Sequence, residues 1–98
     1  MSEILLTPQA HEDLLDIWVY IAKNSPHAAD RALNHIDQRL KLLARSPRIG
    51  RNRAELASGL RSHPAGSYVV FYRIGEKILE VIRILHGSRD IPSFFEVD

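Results

Sequence analysis

Two runs near the end of the chain constrain its fold more than any other stretch. Residues 68–74 read Tyr-Val-Val-Phe-Tyr-Arg-Ile and residues 78–86 read Ile-Leu-Glu-Val-Ile-Arg-Ile-Leu-His, with only Gly75-Glu76-Lys77 between them. Branched and aromatic side chains suit a pleated, half-buried surface, and so short a connection makes the two strands antiparallel neighbours. A polar exit, Gly87-Ser88-Arg89-Asp90, follows the hairpin. Strand alternation puts Tyr68, Val70 and Tyr72 on one face and Val69, Phe71 and Arg73 on the other. The first face is expected to pack on helices, and the face with Arg73 to stay open. In the last strand Val81, Arg83 and Leu85 would oppose Ile82, Ile84 and His86. Both sets are apolar enough to predict a central strand.

Two amphipathic helices precede this hairpin. Thr7-Pro8 is a helix start, with a hydroxyl cap, proline at the first helical position, and Glu12 and Asp13 near the positive end of the dipole. Leu14, Ile17, Trp18 and Ile21 form one stripe, and the helix is predicted to run to about Lys23. Ser25-Pro26 restarts the pattern, with Ala29, Ala32, Leu33, Ile36, Leu40 and Leu43 as the second stripe to about Arg45. Asp37 and Lys41 are spaced to pair along that helix. Residues 3–6 are a short strand candidate. Residues 46–51 read as a loop, Arg61 to His63 as the start of a strand, and Pro64-Ala65-Gly66-Ser67 as a turn. The predicted order is β-αα-βββ. That is an α+β fold with an N-terminal strand, a helical hairpin and a mainly antiparallel three-stranded sheet, in a single domain over 1–98.

Charge is unevenly distributed. Residues 1–37 hold six acids and two bases, a net of −4, whereas residues 38–89 hold eleven bases and three acids, a net of +8. Ten of the thirteen bases are arginine, whose planar fork suits carboxylates and phosphates. The basic half therefore either docks an acidic or phosphate-bearing partner or is a solvated surface. With no cysteine there is no disulfide or thiolate metal site. The five histidines, His11, His27, His35, His63 and His86, show no ligand spacing, so no dedicated metal site and no cofactor are expected. There is no nucleophile elbow and no glycine-rich phosphate loop. Metal-free RNA cleavage, which needs an acid, a base and cations, is permitted by the composition, with Arg61, His63, His86 and Arg89 as its candidates. No membrane span or secretory leader is expected, which points to the cytoplasm.

Several stretches together resemble the RelE/ParE superfamily of bacterial toxins, the toxic halves of type II toxin–antitoxin pairs. They are the Thr7-Pro8 start, Leu14-Leu15-Asp16-Ile17-Trp18, Ser46-Pro47-Arg48-Ile49-Gly50, Leu60-Arg61-Ser62-His63, Gly66-Ser67-Tyr68-Val69-Val70-Phe71-Tyr72-Arg73, and Val81-Ile82-Arg83-Ile84-Leu85-His86-Gly87-Ser88-Arg89-Asp90. The RelE branch, a ribosome-dependent mRNA endoribonuclease, has lysines after the second helix, arginines flanking the hairpin and a tyrosine in the tail. This chain has Arg51 and Arg53, Pro64, Gly87 with Arg89 nearby, and Phe94 and Phe95 in those regions. The ParE branch is more similar, through the Gly-Ser-Tyr-Val-Val-Phe-Tyr-Arg and Arg-Ile-Leu-His stretches. That resemblance implies a DNA gyrase inhibitor with no chemistry of its own. It also implies growth arrest, and a hetero-oligomer with a ParD-like antitoxin whose DNA-binding N-terminal half supplies the only link to operator DNA. Arg51, Arg53, Arg61, Arg83, His86, Arg89, Phe94 and Phe95 are then the expected target-binding residues. The alternatives are the ribonuclease and a harmless member that acts only in the antitoxin–operator complex.

Overall fold

The computed structural model describes residues 2–95. Strand β1 (Glu3–Leu6) leads into helix α1 (Pro8–Ala22), then α2 (Pro26–Arg45), a 3₁₀ turn (Pro47–Ile49) and β2 (Arg51–Asn52). After a loop come β3 (Leu60–Ala65), β4 (Tyr68–Ile74), β5 (Ile78–His86) and a last 3₁₀ turn (Ile91–Phe94). Both helix starts are capped as the sequence predicts. The Thr7 hydroxyl accepts from Ala10 N at 3.1 Å and the Ser25 hydroxyl from Ala28 N at 3.1 Å, each just before a proline. Trp18 Nε1 donates to Asp30 Oδ1 at 2.9 Å and ties the two helices together. None of the described helices is long and apolar enough to cross a membrane.

The five strands lie in the order β1-β5-β4-β3-β2, with β1 parallel to β5 and the other neighbours antiparallel. The α+β architecture and the central position of β5 follow the sequence reading. The sheet is wider than the predicted three strands, because β1 joins it on one side and the two-residue β2 on the other. The helices cover one face. Ile17, Ile36, Leu40 and Leu43 meet Val70, Tyr72, Leu79, Val81 and Ile84 in the main core.

Three details depart from expectation. First, β3 runs through Pro64 and Ala65, so the turn shrinks to Gly66-Ser67, with Gly66 in the left-handed region at φ 65°. Arg53 N–H donates to Leu60 O on the β2 side, and alternation turns the proline nitrogen to that same side. There β2 has already ended, so the missing N–H costs no ladder bond. Second, the face carrying Phe71 is closed. Phe71 is fully buried with Leu60 and Leu85, under Leu56, Ile91, Phe94 and Phe95, which come from the loop and the tail. Third, a β-bulge breaks the alternation of β5. Phe71 pairs with Arg83 but Tyr72 pairs with Val81, leaving Ile82 as the extra residue. Val81 and Ile84 therefore both face the helices, and Ile82 and Leu85 both face the second cluster.

Candidate functional site: a cleft between the first helix and the open edge of the sheet

Because β1 is short, it pairs only with Ile78–Val81 and leaves the outer edge of β5 without a strand from Ile82 to His86. The start of α1 takes up part of that edge. Thr7 Oγ1 donates to Ile82 O at 2.8 Å, and Ile84 N donates to Asp13 Oδ2 at 2.9 Å. Alternation turns Ile84 O and His86 N–H toward the same edge. Beside it opens a cleft of about 530 Å³, walled by Asp13, Asp16 and Tyr20 of α1 on one side and by Tyr68, His86 and Arg89 on the other.

An ion pair fixes the floor of the cleft. Asp13 is buried, and its two oxygens accept Arg83 Nε and Nη2 at 2.8 Å each. This bidentate grip, stronger than the burial that opposes it, raises the arginine's pKa further above the usual guanidinium value. The Arg83 guanidinium lies 4.9 Å from the Phe94 ring centre and that of Arg89 lies 5.0 Å from it, so two cations hold the same ring. At the rim, Ser88 N–H donates to His86 Nδ1 at 3.1 Å, which makes Nδ1 the acceptor nitrogen and leaves Nε2 to carry the proton of the neutral ring. Ser88 Oγ lies 2.7 Å from that same Nδ1, and Tyr68 meets the His86 ring edge-on at 5.3 Å.

The residues predicted to bind a target divide into separate groups. His86 and Arg89 line the cleft. Arg83 is committed to Asp13. Arg53 bonds Glu55 at 2.8 Å and Ser62 at 3.3 Å and stacks over Phe71. Arg61 donates to Arg48 O at 3.2 Å. Phe94 and Phe95 turn inward, with Phe95 5.1 Å from the Phe71 ring. Of the arginines in that set, Arg51 alone is exposed on a strand, β2. Of the four ribonuclease candidates, His86 and Arg89 line the cleft and Arg61 and His63 do not. Arg61 and His63 pair with Tyr72 and Val70 on β3, whereas His86 pairs with Tyr68 on β5. By strand spacing and rise, the backbones at Arg61 and His63 stand roughly 12–17 Å from that at His86.

Sequence reasoning missed two residues. Asp13 reads as an acid near a helix start, and nothing local marks its partner seventy positions away. Tyr72 reads as core. It is fully buried, yet its hydroxyl donates to Pro47 O at 2.6 Å and accepts from Gly50 N at 3.0 Å. Burial raises its pKa, so the phenol remains a donor.

A small α+β domain with an aromatic cleft beside an unpaired strand edge is what the fold and site define. Residues 4–91 match the family described as the ParE toxin of the type II toxin–antitoxin system, parDE, and the chain belongs to that family. It is 37% identical over 90 residues to Toxin ParE1 of Caulobacter vibrioides, covering 90% of this chain and 92% of that one. Toxin ParE1 of Mycobacterium tuberculosis is 35% identical, with 92% and 94% covered. The fold matches a solved chromosomal ParDE system from P. aeruginosa with a TM-score of 0.74 at 24% identity, over 88% of this chain and 96% of that one.

Proposed function

We propose that this type II toxin arrests growth by binding DNA gyrase, and that a ParD-like antitoxin silences it by occupying α1 and the adjoining cleft. Family membership across residues 4–91 is the observation that carries the reading. Only His86 and Arg89 of the acid–base candidates line the cleft, which supports binding over RNA cleavage. The antitoxin surface is supported by exposed apolar groups on α1. Leu15, Val19 and Tyr20 are 65%, 53% and 70% exposed, with Leu15 and Val19 one turn apart and Tyr20 leading into the cleft. The unpaired edge of β5 offers backbone groups to an extended segment, and the α1 stripe offers a seat for an amphipathic helix. Operator DNA would be reached through the antitoxin's N-terminal half, in a hetero-oligomer.

A supercoiling assay with the purified chain and gyrase from the same host tests the reading. Inhibition with accumulation of cleaved DNA is expected. Unaffected gyrase, together with cleavage of reporter mRNA on translating ribosomes, would overturn it.

A further inference from the structure

The end of the molecule where α2 passes through the 3₁₀ turn into β2 carries a second surface of different character. Arg45, Arg48 and Arg51 are exposed there, and among the described residues their guanidinium groups make no hydrogen bond or ion pair. The nearby acid, Glu55, feels the charge of Arg51 but is held by Arg53. Ile49 lies between Arg48 and Arg51 in the chain, with 49% of its surface exposed.

The backbone bearing these side chains is fixed from the sheet. Tyr72 Oη holds Pro47 O at 2.6 Å and Gly50 N at 3.0 Å, and Arg61 Nη2 holds Arg48 O at 3.2 Å. Any one exposed arginine is ordinarily solvated, and Arg45 alone would serve the negative end of α2. Three cations without a partner among the described residues, near an exposed apolar side chain in the sequence and on a backbone anchored in the core, form a preorganised surface. Arginine is enriched in protein interfaces, and a central buried anchor ringed by polar contacts is their usual anatomy. The turn carries no aromatic ring on which an unpaired base could stack, and an exposed isoleucine near three arginines suits an apolar socket with an acidic rim on a protein.

We infer that this promontory is the surface with which the chain grips its target, seating Ile49 in an apolar socket on an acidic protein face. The inference rests on the gyrase reading above. It leaves the cleft to the antitoxin, because β2 and β5 lie three strand spacings apart, roughly 14 Å.

The test measures binding of purified gyrase, of the antitoxin and of a short DNA duplex to the native chain, to Arg48→Glu/Arg51→Glu and to Ile49→Ala. The double variant is expected to bind gyrase at least tenfold more weakly and Ile49→Ala several-fold more weakly. Both should keep native antitoxin affinity, which also certifies their folding, and the native chain's affinity for gyrase should fall as salt rises. Native gyrase affinity in both variants overturns the promontory while the gyrase reading stands. A native chain that binds no gyrase overturns both. Loss of duplex binding with gyrase binding intact makes the surface one for nucleic acid and overturns the protein partner.

Discussion

At the scale of single residues, two buried contacts decide how the working surfaces are held. Asp13 satisfies Arg83 with both oxygens and Ile84 N with one of them. Asp13→Ala leaves a cation and a backbone donor without partners and should cost about 2–4 kcal/mol in chemical denaturation. Asp13→Asn should cost less, because the amide oxygen can still accept one of these bonds. The second contact is Tyr72 against Gly50. A Cβ on Gly50 would lie 2.0 Å from Tyr72 Oη and 2.9 Å from Ser62 O, so Gly50→Ala should destabilise strongly. Tyr72→Phe alone should cost about 1–3 kcal/mol for the two bonds lost. In the double variant the worst clash disappears, so the combined cost should fall below the sum of the single costs. Additive costs in that cycle would show that the hydroxyl is not what forbids a side chain at residue 50. Neither contact was legible in the sequence, because each joins residues far apart in the chain and depends on strand register. The caps at Thr7 and Ser25 were legible, because a cap is made with groups three residues away.

At the scale of elements, the surprise is the closed second face of the sheet. Arg73 after Val69 and Phe71 suggested a solvated side, but the 3₁₀ turn at Ile91–Phe94 folds back and brings Phe94 and Phe95 onto Phe71 and Leu85. Phe94 and Phe95 are thus part of the fold. Phe95→Ala should lower stability by about 1–2 kcal/mol, roughly half the cost at a fully buried phenylalanine. Loss of toxicity on removing residues 91–98 would then report folding as well as target contact. An unchanged melting curve for Phe95→Ala would show that the ring makes no energetic contribution where it lies. The helices were read nearly to the residue, because amphipathic spacing and caps are local signals. The faces of β5 were misread past Ile82, because one bulged residue reverses every later side chain and leaves no mark in the pattern.

At the scale of the whole molecule, five of the nine arginines in the basic half serve the scaffold. Arg53, Arg61, Arg73, Arg83 and Arg89 hold carbonyls, carboxylates or aromatic rings of their own chain. The charge asymmetry was plain in the composition, but which cations remain free was not. His63 adds a pH response. Burial first, and then the charge of Arg39 on α2, lower its pKa below the ordinary 6.5. The unfolded chain therefore takes up this proton more readily than the folded one. Stability should fall as pH drops through 6.5 and level off below the folded pKa, and His63→Gln should flatten that slope. A slope unchanged in the variant would assign the effect to another group. The measurement that bears most directly on the whole reading follows cleaved-DNA accumulation by gyrase, with the toxin titrated by the antitoxin. The native toxin should trap cleaved DNA and be relieved at stoichiometric antitoxin, whereas Leu15→Glu/Tyr20→Glu should trap it equally and resist relief. Gyrase indifferent to the native chain, or a double variant relieved as readily as the native protein, would contradict it.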